Sequence, residues 1–153
     1  MKAMFILIAA AGMLGACNSI SVKPGTMERG AKVHAQRGGY TMMRNAKLEL
    51  ESRGYDVHVG KLVYHSDAGS VETERVTVPS DVKYYIKVEE RRERFRPVWC
   101  ALNGFWWWNF NVSIADQKTG KELMTWRGRG CADSSIRLLR RTLDKLEGNT
   151  NEN

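Results

Sequence analysis

Residues 106–126, WWWNFNVSIADQKTGKELMTW, decide the fold because two apolar runs flank a short group of turn residues. Alternation places one set of side chains on a single face of the first strand: Trp106, Trp108, Phe110, Val112 and Ile114. Residues 118–120 fit a three-residue hairpin loop closed by a glycine bulge. That loop length pairs Val112 with Trp126 and keeps both on the apolar face. The segment therefore predicts an antiparallel hairpin with one buried face.

The rest of the chain carries weaker strand and helix patterns. Alternation predicts strands at 31–35, 55–59 and 82–89, and apolar stripes predict helices at 42–53 and 133–146. The first strand, the first helix and the second strand follow one another closely, so they form a right-handed βαβ unit. Residues 65–80 are polar and are expected to form a long surface loop. The predicted fold class is α+β: a single, mainly antiparallel sheet of about five strands, an initial βαβ unit then a meander, with two helices packed on one face.

The N-terminus has the pattern of an export signal. One basic residue, Lys2, precedes the apolar run 3–16, which as a helix spans about 21 Å and is too short to cross a bilayer. The run ends in Leu14-Gly15-Ala16-Cys17. A plain signal peptide with an incidental cysteine is the alternative.

Leu14-Gly15-Ala16-Cys17 resembles the lipobox of bacterial lipoproteins. LELESRGYDV (48–57) and DQKTGKELMTWRG (116–128) likewise resemble small proteobacterial lipoproteins of unknown function. The resemblance implies cleavage before Cys17 and attachment of lipid, palmitate included, to that residue. Asn18, where an Asp would imply inner-membrane retention, implies a lipid-anchored protein of the cell envelope at the outer membrane, facing the periplasm. No activity comes with the resemblance.

The domain organisation follows from these patterns. Residues 1–16 are expected to be the lipoprotein signal peptide, and 17–30 the lipidated cysteine with a flexible tether. Residues 31–147 are expected to form a single α+β domain, since 153 residues suit one modest core. Residues 148–153 are polar and are expected to form a flexible tail.

Two cysteines remain once Cys17 is assigned to lipid. In an oxidising compartment Cys100 and Cys131 are expected to form a disulfide. Two free buried thiols are the alternative. A catalytic thiol is a weaker one, because neither cysteine has a histidine nearby in sequence to activate it.

The net charge of +7 would point to nucleic acid in a cytosolic protein. For an exported protein, the anionic partners that such a charge could bind are lipid headgroups, lipopolysaccharide and acidic wall polymers, and no nucleic acid is expected. The densest basic run contains Arg92, Arg94 and Arg96, which with Arg127 and Arg129 on the hairpin are candidates for an anion-facing patch. The alternative is a solvated strand end in which acidic residues interleave: Glu89, Glu90 and Glu93.

Tryptophans form the second candidate binding feature. Trp107 is expected on the face opposite Trp106 and Trp108, where it could stack on a sugar or contact a protein. Alternatively, the loop that carries Trp99 and the disulfide covers it. Trp99 and Trp107 are therefore candidate ligand-binding residues.

Catalytic and metal-binding patterns are absent from the sequence. His34, His58 and His65 lack the spacing of metal ligands, and Ser134-Ser135 lacks the glycines of a nucleophile elbow and is expected to cap the last helix. No enzyme activity, metal or cofactor is expected. The preferred function is a non-catalytic binding or scaffolding domain that contacts an envelope protein. A small glycan- or lipopolysaccharide-binding module is the alternative, and a wall hydrolase with dispersed residues a third.

Overall fold

The computed structural model describes residues 18–36, 41–59, 61–65, 73–77, 79–94, 97–104 and 106–149, with backbone alone at 61–65 and 73–77. The elements follow in the order β1 (Ser19–Val22), β2 (Lys32–Ala35), α1 (Thr41–Ser52), β3 (Asp56–Val59), β4 (Lys61–His65), β5 (Thr73–Thr77), β6 (Tyr84–Arg92), a 3₁₀ turn (Val98–Cys100), β7 (Trp107–Asp116), β8 (Glu122–Cys131) and α2 (Ala132–Leu146). The expected signal peptide (1–16) and the expected lipidated residue, Cys17, lie outside the described residues.

Six strands form one mixed sheet in the order β1-β8-β7-β6-β2-β3. The pairs β1/β8, β8/β7 and β7/β6 are antiparallel, whereas β2 is parallel to both β6 and β3. The α+β class and the βαβ unit are therefore confirmed. The sheet itself differs from the expectation of about five mainly antiparallel strands: it has six, and two of its pairings are parallel.

The hairpin of β7 and β8 has the predicted register. Val112 lies opposite Trp126, and Ile114 lies opposite Met124. Gly120 has φ of 67°, which a left-handed bulge position requires. The Asp116 carboxylate accepts hydrogen bonds from the backbone N–H groups of Lys118 and Thr119, at 3.0 and 2.8 Å. The turn chemistry and the apolar alternation therefore favour the same pairing.

Both helices lie on the apolar face of this sheet. The sheet contributes alternate residues to the core, with Phe110 edge-on to Trp126 at 4.4 Å between ring centroids. The helices bury Met42, Met43, Ala46 and Leu50 from α1 and Leu139, Leu143 and Leu146 from α2. This three- to four-residue spacing is the stripe that an amphipathic helix presents to a sheet.

The segment expected to be a flexible tether is part of the domain. Residues 19–22 form β1 and extend the sheet beyond β8. The next residues turn back onto α2: the N–H groups of Gly25 and Met27 donate to the carbonyls of Lys145 and Leu146, and Met27 is buried. The expected tail likewise begins with an ordered residue, because Asn149 N–H donates to the Asp144 carbonyl at 2.8 Å.

Residues 65–80, expected to be one surface loop, contain part of a second, two-stranded sheet. β4 pairs with β5 from Lys61 opposite Thr77 to His65 opposite Thr73. Backbone pairing thus extends into a segment whose polar composition indicated a loop.

Candidate functional site at the loop end of the sheet

Three strands of the large sheet meet at one end. β6 finishes at Arg92, β7 begins at Trp107 opposite Cys131, and β8 finishes at Cys131. We call this the loop end, and we call residues 97–104, which lie between β6 and β7, the disulfide loop. Several of the residues singled out in the sequence lie at this end or in the nearby parts of these three strands. The fold therefore brings together residues that are far apart in the sequence.

The disulfide joins this loop to the start of α2. Cys100 and Cys131 are bonded, with their Cα atoms 5.4 Å apart, and both are buried. The predicted pairing is therefore confirmed. The bond attaches the 3₁₀ turn to the last residue of β8.

Hydrogen bonds also join the disulfide loop to α2. Asn103 accepts from the Arg137 guanidinium at 3.1 Å through its side chain, and from Asp133 N–H at 3.4 Å through its carbonyl. Gly104 has φ of 85°, and a Cβ there would lie 2.8 Å from the side chains of Ala132 and Asp133. This close backbone approach and positive φ both require glycine. The loop is thus packed firmly against α2.

This well-fixed loop nevertheless exposes apolar side chains. Val98 is 87% exposed, Trp99 61% and Leu102 99%. All three lie within five consecutive residues of the loop. Contiguous exposed apolar groups of this kind typically mark an interaction site. Val98 and Leu102 were not singled out in the sequence, because apolar composition does not tell which loop residues face solvent.

Trp107 is half-buried beside the loop. The Trp99 ring lies edge-on to it, 6.4 Å away between centroids. Of the two alternatives for Trp107, the structure thus shows contact with the loop that carries Trp99. Trp99 is the more exposed of the pair.

The expected arginine patch is divided between the two faces of the sheet. Arg92 lies opposite Trp108 in the register, on the helix side, and its guanidinium lies 3.9 Å from the centre of the Trp106 ring. Arg127 and Arg129 lie opposite Asn111 and Asn109 on the other face, and both are exposed. Arg94 is exposed just beyond β6. Arg96 lies outside the described residues.

The face of the sheet away from the helices is polar. Asn111 lies between Glu89 and Arg127, and the Glu89 carboxylate pairs with Lys87 at 2.6 Å. The Lys87 hydrogen bond lowers the pKa of Glu89, and the reciprocal bond raises the pKa of Lys87. Glu93 approaches Arg129 at 3.9 Å. Acidic residues thus interleave with some of the basic ones on this face.

The described chain begins close to this end. Trp126 Nε1 donates to Oδ1 of Asn18 at 3.1 Å, and a Cβ on Gly128 would overlap that same oxygen. Any larger residue at position 128 would require the Asn18 side chain to move. Because β1 is antiparallel to β8, Asn18 lies on the Cys131 side of Ser19.

Nowhere in the described chain do three or more His, Cys, Asp or Glu side chains converge as metal ligands. His34 and His58 lie opposite each other on β2 and β3, and the His34 ring is fully buried. Neither α1 nor α2 has the length and apolarity needed to cross a membrane.

The sequence matches no protein-family model and no curated protein. Solved structures of similar fold include two crystal forms of the PelC dodecamer from Paraburkholderia phytofirmans, one of them a point variant. The variant has a TM-score of 0.52 and 11% identity, and the match covers 86% of this chain and 97% of that chain. The other has a TM-score of 0.51 and 10% identity with the same coverage. At these identities the likeness concerns the fold alone.

Proposed function

We propose that this chain is a lipid-anchored protein of the bacterial cell envelope, attached through Cys17 at the outer membrane and facing the periplasm. Its α+β domain acts as a non-catalytic binding or scaffolding module. The lipobox pattern supports the anchor, and the Cys100–Cys131 bond suits an oxidising compartment. The non-catalytic assignment rests on the lack of any catalytic pattern in the sequence.

The lipobox at residues 14–17 carries this proposal, and the position of Asn18 indicates where such an anchor would join the domain. Asn18 follows Cys17 directly and is held by Trp126 at the edge of the sheet. Consecutive Cα atoms are about 3.8 Å apart, so lipid on Cys17 is joined to the folded domain without an intervening linker. Such an anchor fixes which end of the domain lies nearest the bilayer.

Metabolic labelling tests the anchor. Cells that express the protein should incorporate radiolabelled palmitate into it, and the label should be lost in Cys17→Ser. Two or three acyl chains hold a protein firmly, so the wild-type protein should sediment with membranes and Cys17→Ser should not. An unlabelled wild-type protein, or a Cys17→Ser variant that is processed and membrane-bound as usual, would refute the proposal.

A glycan- or lipopolysaccharide-binding module is the second candidate. The observation in its favour is the exposed Trp99 ring beside the polar face that carries Asn109, Asn111, Arg127 and Arg129. An aromatic ring next to amides and arginines can stack on a sugar and pair with its phosphates. Saturable retention on purified lipopolysaccharide or peptidoglycan, weakened in Trp99→Ala, would support it. Equal retention of both proteins would exclude the Trp99 site.

Scaffolding could take the form of self-assembly, since the PelC proteins of similar fold are dodecamers. Native mass spectrometry of the protein extracted in mild detergent would show this as a discrete oligomer. A monomer at every protein concentration would leave binding to a different partner as the scaffolding role.

A further inference from the structure

We propose that the disulfide loop rests on the membrane to which Cys17 is anchored, with Val98, Trp99 and Leu102 in the interfacial layer and the arginines of the loop end on anionic headgroups. This inference rests on the proposed lipid anchor and deepens it. It assigns a membrane-facing surface to the domain itself.

The direction of β1 places the proposed anchor near the loop end. Asn18 lies beside Gly128, three residues before Cys131 at the loop end. At the rise of a strand these three residues span about 10 Å. Lipid on the preceding residue is therefore proposed to lie about 10 Å from the disulfide loop along the strand, a distance comparable to the polar layer of one leaflet, which is about 5–8 Å thick. The opposite end of β8 points away from the bilayer.

Exposed apolar side chains are concentrated in the disulfide loop. Among the exposed large apolar side chains of the described chain, three fall within residues 98–102, and the others are scattered: Ile20, Leu48 and Val59. Tryptophan favours the membrane interface, where its ring is apolar and its N–H reaches polar groups. The loop end thus carries the residue types that a bilayer interface accommodates best.

The loop end carries an excess of positive charge. The described residues of 91–104 and 129–137 include five exposed arginines, Arg91, Arg92, Arg94, Arg129 and Arg137. They include two acidic residues, Glu93 and Asp133. Basic residues close to an anionic leaflet are attracted to it, and the attraction weakens with salt. The excess of positive charge matches anionic phospholipid on the same side as the apolar loop.

The disulfide loop is attached to the neighbouring elements by a covalent bond and a hydrogen bond. The disulfide and the Arg137–Asn103 hydrogen bond hold the loop against α2. Burial of its apolar side chains inside the domain would require these contacts to break. The domain therefore approaches the bilayer with these side chains already exposed. A pre-ordered surface of this kind loses little conformational entropy on binding.

The test uses the full lipidated protein reconstituted in vesicles of phosphatidylethanolamine and phosphatidylglycerol whose acyl chains carry bromine near the carbonyl. Bromine quenches tryptophan fluorescence only at close range. We expect quenching in the wild-type protein and loss of most of it in Trp99→Phe, because the other described tryptophans are buried or half-buried. Leu102→Asp should reduce the quenching of Trp99 to roughly half or less, since a carboxylate opposes insertion next to anionic lipid.

Leu48→Asp is the matched control. Leu48 is 54% exposed on α1 and is not part of the disulfide loop, so its substitution should leave quenching unchanged. Both variants change exposed side chains, and thermal melts should show both folded. Equal quenching in wild type, Trp99→Phe and Leu102→Asp would overturn the loop contact.

The vesicle-bound fraction separates this proposal from the anchor. Cys17 is unchanged in every variant, so each should float with vesicles and incorporate palmitate. A floating protein whose Trp99 is not quenched refutes the loop contact and leaves the anchor standing. A protein that neither labels nor floats refutes the anchor. Trp99 shielded only by added lipopolysaccharide glycan, or only in oligomers, would refute the membrane contact in favour of those partners.

Discussion

His34 shows what a single residue can contribute to this fold. Its ring is fully buried on β2, stacked on Tyr85 at 5.7 Å, with His58 opposite it on β3. Neither ring nitrogen has a hydrogen-bond partner in the described structure. Burial, and then the charge of His58, lower the pKa of His34, because both disfavour the imidazolium form. The residue is therefore neutral in the folded protein at neutral pH.

This lowered pKa makes stability depend on pH. The unfolded histidine binds its proton near pH 6.5 while the folded one does not, so the free energy of unfolding falls as the pH drops below about 6.5. A single group contributes at most about 1.4 kcal/mol per pH unit to this slope. We expect His34→Phe to keep the ring packing and to lose less stability than wild type between pH 7 and pH 5. Denaturant melts at both pH values measure this, and equal losses would contradict it.

The disulfide supports a second prediction at the residue scale. Cys100 and Cys131 are 31 residues apart, and a loop of that size stabilises a domain by roughly 3–4 kcal/mol through the unfolded chain. The double variant Cys100→Ala/Cys131→Ala should lose about that much and should melt at the same temperature with or without reductant. A wild-type protein insensitive to reductant at its melting temperature would contradict this stabilisation.

At the scale of elements, Arg53 joins the two helices. It follows α1 and lies 3.0 Å from Glu49 of that helix, 2.8 Å from Asp144 of α2, and 3.2 Å from Glu147. The Glu147 side chain is only 1% exposed, and Arg29 also approaches it at 3.0 Å. Buried carboxylates need such partners because desolvation of an unpaired charge is costly. The helix pair is therefore held by ionic contacts as well as by the apolar stripe.

We expect Arg53→Met to cost about 2–4 kcal/mol of unfolding free energy, since methionine keeps the apolar stem but leaves Glu147 short of positive charge. Lys47→Met is the control on the same helix. It breaks the exposed Lys47–Glu51 pair, which is worth at most about 0.5 kcal/mol. Chemical denaturation of both variants distinguishes the two, and equal losses would show that the Arg53 contacts are not specifically stabilising.

At the scale of the whole molecule, the pairing of β1 with β8 determines the proposed orientation of the domain on the membrane. β1 joins residues 19–22 to the sheet edge, so the anchor and the domain are proposed to move as one body. The expected flexible tether would have let the domain turn freely above the bilayer. Orientation is therefore proposed to be a property of the fold, with the loop end toward the lipid.

A flexible spacer tests this orientation. Eight residues that begin with Asn and continue with Gly and Ser, inserted between Cys17 and Asn18, reach roughly 16 Å as a random coil. We expect the spacer variant to incorporate palmitate and float like wild type, but to show weaker quenching of Trp99 by brominated lipid. Unchanged quenching would mean that the loop reaches the bilayer without help from a rigid attachment.

Local patterns were enough to predict the central hairpin, the two helices, the βαβ unit and the cysteine pair. In each of these the signal lies within the element itself: alternation over 106–126, a stripe of leucines in α2, and two cysteines left over once one is assigned to lipid. The predicted capping by Ser134-Ser135 was wrong, because α2 already begins at Ala132 and Cys131 occupies the N-cap position. Helix ends depend on the preceding strand, which a local pattern does not show.

The remaining features were settled only when distant segments met. Residues 19–22 alternate serine with Ile20 and Val22, but four residues are too short a run to be recognised as a strand, and they pair because β8 offers an edge. Arg92 and Arg129 lie in neighbouring parts of the loop end, yet the alternation along β6 places Arg92 on the helix side, and the register of β7 with β8 places Arg127 and Arg129 on the other face. Val98 and Leu102 are exposed because the disulfide and α2 fix the loop that carries them. Periodicity is a local property that composition encodes, whereas edges, faces and exposure depend on which strands become neighbours in space.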